Sequence, residues 1–232
     1  MPIHVAFTPA EAACARVGIV VDVIRASSSI AQALAAGYER VLCCREIDEA
    51  KALRVELGDR AVVGGERTGN VVEGFDVGAS PREFAQSPRA PVLILSTTNG
   101  TASILAAAER CDVVLVGSLL NLRALVGAAV AAGGDDVAVL CAGFKGGFAL
   151  DDAYCAGRIV AELPGARTDA ARAAELLAAS FPTALEAFEA RTYGPPGLEA
   201  DIAYCARENL LETVPRFARM HGPAAEITVL SG

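Results

Sequence analysis

The sequence predicts an α/β fold of three layers, α/β/α, around a largely parallel central sheet, with a helix-rich C-terminal third. Three observations lead there. Short apolar runs of β type alternate with Ala- and Leu-rich stretches of helical period. Those runs are apolar throughout rather than every second residue, as expected of strands covered by helices on both faces. Beyond Thr168 the β signal fades and helical patterning takes over.

In chain order, strands are expected at Ile19–Ile24, Arg40–Cys44, Ala61–Val63, Val92–Ser96, Val113–Val116 and Val137–Ala142. Helices are expected at Ser28–Ala36, Asp48–Leu57, Thr101–Glu109, Leu122–Ala132 and Asp152–Glu162. The last third reads as helices at Asp169–Ser180, Thr183–Ala190 and Leu198–Leu211, broken at Gly194-Pro-Pro-Gly197, then a short strand at Glu226–Leu230. Ser80-Pro-Arg-Glu83 carries a capping-box pattern: Ser80 at the N-cap, Pro81 at the first helical position and Glu83 two residues later.

The 232 residues suit one domain spanning 1–232, or two closely packed lobes. Hydrophobic residues are 53% of the chain and charged residues 21%, which excludes a chain disordered throughout. Lys and Arg number 20 against 28 Asp and Glu, a net charge of −8, with no basic run. Nucleic acid and anionic membrane are therefore excluded as expected partners. Met1–Val20 lacks the basic and apolar regions of a signal peptide, and stretches such as Ala124–Gly134 are too short to cross a bilayer. A cytoplasmic protein is expected, with a homodimer among the possible assemblies. The seven cysteines are scattered and never spaced C-x-x-C, so neither a zinc site nor a disulfide framework is indicated. The only histidines, His4 and His221, lie near the termini.

In open α/β sheets ligands bind beyond the carboxyl ends of strands, and four such places carry polar residues. Asp22-Val-Ile-Arg-Ala-Ser-Ser-Ser29 delivers Asp22, Arg25, Ser27 and Ser28 to a helix start that suits an anion. Gly64-Gly-Glu-Arg67 offers Glu66 as a metal ligand and Arg67 as an anion clamp. Ser96-Thr-Thr-Asn-Gly-Thr101 has the composition of a phosphate cradle, from Thr97, Thr98, Asn99, Gly100 and Thr101, and Asn121 is expected on the same cleft. The loop Gly143–Gly147 holds Lys145 and precedes Asp151 and Asp152 at a helix start. Carboxylates without His or Cys partners suit Mg²⁺ better than Zn²⁺. P-loop, G-x-G-x-x-G and G-x-S-x-G motifs are absent.

Taken in order, Asp22–Ser29, Gly64–Arg67, Gly74-Phe-Asp-Val-Gly78, Ser80-Pro81, Thr97–Thr101 and Asp151-Asp152 with Ala156-Gly157 resemble the 2-phosphosulfolactate phosphatase family, over residues 18 to 205. The resemblance implies a Mg²⁺-dependent phosphatase of layered α/β/α fold. In coenzyme M synthesis, such an enzyme converts 2-phospho-3-sulfolactate to 3-sulfolactate and phosphate. Asp22, Arg25, Glu66 and Arg67 are the implied catalytic residues and Asp22, Glu66 and Asp152 the implied metal ligands. Ser27, Ser28, Thr97, Thr98, Asn99, Gly100, Thr101, Asn121 and Lys145 bind substrate in this reading. The attacking group, water on the metal or the Asp22 carboxylate, is left open. The chain departs from the family pattern at Ser27-Ser28-Ser29, at Ala79 in place of Asn, and at Asp151 in place of Glu. The rival expectations are a non-enzymatic anion-binding relative and an isomerase.

Overall fold

The computed structural model describes residues 2–67, 69–86, 88–133 and 136–230. The chain opens with β1 (His4–Ala6), β2 (Ala15–Val21), α1 (Ala26–Ala35), β3 (Arg40–Cys44), α2 (Ile47–Leu57), β4 (Ala61–Arg67) and β5 (Asn70–Val71). It continues through α3 (Pro81–Phe84), β6 (Val92–Ser96), α4 (Gly100–Ala108), β7 (Cys111–Gly117), α5 (Leu122–Gly133), β8 (Val137–Cys141) and α6 (Leu150–Glu162). Then come α7 (Asp169–Ala179), α8 (Ala184–Glu189), α9 (Glu199–Cys205), β9 (Pro215–His221) and β10 (Ala224–Val229).

All ten of these strands join one mixed sheet in the order β1-β8-β2-β7-β9-β10-β3-β6-β4-β5. Two parallel blocks, β1-β8-β2-β7 and β3-β6-β4, are bridged by the antiparallel hairpin β9–β10. The bridge contains three antiparallel steps, so the two blocks run in opposite senses. A twist of roughly 20–25° per strand, summed over the steps from β2 to β6, turns the second block through on the order of 100°. The starts of α1 and α4 consequently meet: a Cβ added at Gly100 would lie 2.6 Å from the Ala26 Cβ.

The strands read as continuous apolar runs because both faces are covered. Val41, Leu93 and Val62 point to one face with Ile30 of α1 and Ile104 of α4. Their neighbours Leu42, Ile94 and Val63 point to the other, against Ala50 and Leu53 of α2. The inner block packs Ile19, Val21, Leu115 and Val139 against α5, α6, α7 and α8. The three-layer expectation thus holds.

β3 and β6 match their expected bounds, whereas four expectations are corrected. β2 ends at Val21 because residues 22–25 form a turn closed by the Ser27 N–H to the Asp22 carbonyl, 2.9 Å. β4 runs on to Arg67 because Gly64 and Gly65 permit close approach; a Cβ on Gly65, at φ 157°, would lie 2.3 Å from the Ser96 carbonyl oxygen. The helix expected at Leu198–Leu211 stops at Cys205, after which Asn209 and Leu211 donate backbone N–H groups to the Leu119 and Leu120 carbonyls. The capping box at Ser80 does not form: the Ser80 hydroxyl donates to Asp201 at 2.6 Å, and Glu83 accepts the Gly78 N–H. The strands β1, β5 and β9 escape sequence reading, since β1 and β5 are only three and two residues long and β9, Pro-Arg-Phe-Ala-Arg-Met-His, lacks β-branched residues.

Gly157 of α6 sits against α7, where an added Cβ would meet the Ala174 carbonyl oxygen at 2.1 Å. Gly157→Ala gains about 1 kcal/mol of helix propensity but overpacks a backbone contact at a typical cost of about 1–3 kcal/mol. Net destabilisation is expected in urea unfolding; an unchanged or raised midpoint would show that the α6–α7 contact yields.

Candidate active site

β2 is buried and apolar from Val17 to Val21, so the next charge, Asp22, falls where the chain reaches the rim. The Ile24–Arg25 peptide bond is cis. The serines that follow hold this turn in place. Ser27 Oγ accepts the Asp22 N–H at 3.3 Å, Ser28 Oγ donates to the Val23 carbonyl at 2.8 Å, and Ser29 Oγ donates to the Ala79 carbonyl at 2.7 Å. All three serines are buried, and none lines the cleft, which corrects the expectation that Ser27 and Ser28 touch a ligand.

Asp22 lies at the junction of two helix starts, accepting the backbone N–H groups of Ala26 in α1 and Gly100 in α4. Gly100 is needed there, since a Cβ would come within 2.8 Å of Asp22 Oδ2. Those two donors favour the charged carboxylate, yet burial and the neighbouring charges of Asp151 and Glu66 outweigh them. The Asp22 pKa is pushed up from 3.8 to about 7.

Glu66, at the end of β4, is tied to the next loop: Oε1 accepts the Thr98 N–H at 2.9 Å and its hydroxyl at 2.8 Å, while Oε2 accepts the Gly69 N–H at 2.7 Å. Glu66 thereby fixes Thr97-Thr98-Asn99, which line the cleft. Arg67 turns the other way and is not a cleft-lining clamp. Its guanidinium donates to the Glu66, Ser96 and Arg45 carbonyls and to Ser96 Oγ, joining the ends of β4 and β6. Thr101 is buried 3.5 Å from the Thr97 hydroxyl, behind the wall. Asn121 is also off the cleft, bonding the Ser118 N–H and hydroxyl and the Thr213 carbonyl.

Arg25 does reach the cleft, held at 2.9 Å by Asp201 of α9 and bonded to the Gly69 carbonyl at 3.2 Å. Asp152 is buried behind the wall, its oxygens accepting the Val23 N–H at 2.9 Å and the Gly143 N–H at 3.0 Å. Burial, then Asp151 and Asp22, push its pKa well up. Asp151 accepts the Tyr193 hydroxyl and pairs with Arg191 at 3.5 Å.

These residues surround a cavity of about 400 Å³. Its polar wall is Asp22, Glu66, Thr97, Thr98 and Asn99, and its cations are Arg25, Lys145 and Arg191. Ile24, Ala79, Phe144, Tyr193, Pro195 and Leu198 supply most of the remainder, with Phe144 stacked on Tyr193 at 4.8 Å. Lys145 stands at the tip of the Phe144–Gly147 turn in the left-handed region, φ 52°. Sequence reading missed Asp201, Arg191 and Tyr193, which sit more than 160 residues from Asp22. The one signal for them was polar residues flanking the Gly194-Pro-Pro-Gly197 break.

Among the described residues, no three His, Cys, Asp or Glu side chains are gathered to hold a metal ion. Mg²⁺ does not need such a cage, since it is commonly held by one or two carboxylates together with waters and substrate phosphate. Counting lone pairs, Glu66 has one of about four left, whereas Asp22 has two and faces the cavity. Crowding by Asp151 and Glu66 is the negative environment a divalent cation relieves. The residues present fit Mg²⁺ of this open kind through Asp22 and Glu66; Asp152 is not on the wall.

Two outcomes follow from this geometry. A carboxyl whose folded pKa is raised to about 7 leaves stability intact below about pH 4, where it is protonated folded or unfolded, and removes it as pH climbs through 7. Metal-free Asp22→Asn is therefore expected to be more stable than its parent at pH 8, by on the order of a few kcal/mol. The difference should shrink towards pH 4 in urea titrations; a variant no more stable at pH 8 refutes the assignment. Asp201→Ala strands Arg25, whose side chain is only 10% exposed, and should cost about 3–5 kcal/mol. A loss below about 1 kcal/mol, by the same titration, would show that Arg25 finds another partner.

A family model described as 2-phosphosulpholactate phosphatase matches residues 4–219. A probable 2-phosphosulfolactate phosphatase of Pseudothermotoga lettingae is 36% identical over 221 residues, covering 93% of this chain and 95% of the relative. One from Thermus thermophilus is 38% identical over 207 residues, covering 85% and 86%. One from Clostridium acetobutylicum is 33% identical over 217 residues, covering 87% and 89%. With nearly its whole length matched, this chain belongs to the 2-phosphosulfolactate phosphatase family.

Proposed function

We propose that this protein is a Mg²⁺-dependent phosphoric monoester hydrolase that removes phosphate from a phosphorylated 2-hydroxy acid, in the family's terms 2-phospho-3-sulfolactate. The observation that carries the reading is Asp22: a buried carboxylate at the meeting point of two helix starts, on the wall of a cavity that Arg25, Arg191 and Lys145 also line.

Asp22 and Glu66 would hold Mg²⁺, which when bound would supply positive charge to the phosphate oxygens. The chain's own residues do the rest. Thr97 and Asn99 present hydroxyl, amide and backbone N–H donors at the start of α4, where the helix dipole favours an anion, while the N–H and hydroxyl of Thr98 are spent on Glu66. Glu66 stiffens that loop through Thr98. Arg25, clamped by Asp201, offers a fixed positive group towards the spreading charge of the transferring phosphoryl. Tyr193, Phe144, Pro195 and Leu198 wall off part of the cavity from water, which strengthens each of those interactions.

Purified protein incubated with phosphorylated 2-hydroxy acids is expected to release inorganic phosphate with Mg²⁺, to stop with EDTA, and to resume when Mg²⁺ is restored. Asp22→Asn should lower kcat by about 10²-fold or more. Phosphate release untouched by EDTA, or by the substitution, overturns the assignment of Asp22; no release from any ester leaves the cleft as an anion-binding site.

A further inference from the structure

Arg191 was not among the residues the sequence singled out, and its surroundings are unlike those of Arg25. Both guanidinium groups line the cavity. Arg25 is held on two nitrogens, by Asp201 at 2.9 Å and by the Gly69 carbonyl at 3.2 Å. The Arg191 side chain is 8% exposed, and its only polar partner among the described residues is Asp151, at 3.5 Å through one nitrogen. A Cβ placed on Gly194 would just touch the Arg191 guanidinium, 3.5 Å from Cζ and from Nη2. A guanidinium carries five N–H donors, and a buried cation whose donors go unmatched is costly unless something else takes them.

Asp151 cannot take them all. It already accepts the Tyr193 hydroxyl and the Asp152 N–H. Tyr193 is braced in turn by its stack on Phe144. Arg191 is thus held by one edge against Asp151, with the remaining donors available to the cavity. A fork of this kind matches a carboxylate or sulfonate two bonds at a time. The exposed Lys145 lines the same cavity one residue from Phe144, the stacking partner of Tyr193.

We infer that Arg191 is the specificity-determining residue of this cleft: it receives a second acid group of the substrate, separate from the phosphate, while Asp151 and Tyr193 hold it in position. This rests on the phosphatase reading above and adds to it the residue that receives the acid group such a substrate carries beside its phosphate.

Two esters on one carbon skeleton test it: 2-phospholactate, which carries a carboxylate, and isopropyl phosphate, which has a methyl group in its place. The wild-type enzyme should favour 2-phospholactate in kcat/KM, and Arg191→Gln should shrink that preference by about 10- to 100-fold, chiefly through KM. Arg191→Lys, which keeps the charge but not the fork, should fall between. A purely structural role would lower both esters alike and leave the ratio unchanged, which would overturn the inference. A measurement on wild-type protein alone guards against misfolded variants: a phosphate-free dianionic hydroxy acid, malate, should bind by calorimetry at least 10-fold more tightly than its diamide. Equal binding of the two would also overturn the inference. If neither ester releases phosphate, the phosphatase reading falls by itself, and the malate comparison, repeated with Arg191→Lys, still decides whether Arg191 is an acid-group receptor.

Discussion

The structure turns on the carboxylate of Asp22. Two helix starts, of α1 and α4, reach it from different blocks of the sheet and each gives it a backbone N–H. Their donors partly offset the cost of removing a negative charge from water, but not wholly, because Asp151 and Glu66 stand close by. In the proposed function, the remaining imbalance is what a bound cation would relieve.

Around it the polar groups divide into those that hold and those that face the cavity. The serines of residues 27–29, Arg67, Thr101 and Asn121 hold: their donors and acceptors are consumed by the turns and strand ends they join. Thr97, Thr98, Asn99, Arg25, Lys145 and Arg191 face the cavity. The distinction matters because a hydroxyl or guanidinium already matched to the backbone has little left for a ligand, however suggestive its place in a motif. Arg25 and Arg67 illustrate it: one follows β2 and the other ends β4, yet only the one braced by Asp201 lines the cleft.

The departures from the family pattern read more clearly in this light. Ala79 is fully buried on the cavity wall, and its carbonyl takes the Ser29 hydroxyl, so the turn is secured without an amide side chain there. The third serine of the Ser27-Ser28-Ser29 run therefore serves the same wall that Ala79 builds. Asp151, shorter than the Glu of the pattern, is met by Tyr193 and Arg191 from the segment after α8.

Much of the fold was legible in the chain by itself. The apolar runs of β3 and β6 and the Ala-rich periods of α5 and α6 depend on local patterning, which neighbouring residues carry in full. The turn of Asp22 and the loop of Thr97–Asn99 were legible too, because polar residues interrupting an apolar run mark a strand's end. What the chain could not reveal alone was the central hairpin β9–β10, whose place between the blocks is set by pairing with strands over 100 residues away. Nor could it reveal Arg191 and Tyr193, which line the cleft, or Asp201, which braces Arg25; they come there only because α9 and the segment before it pack across the rim. Which oxygen or guanidinium is spent and which is available is a matter of distances between remote segments. Residue identity bounds the possible chemistry, but only the folded arrangement decides which charges meet.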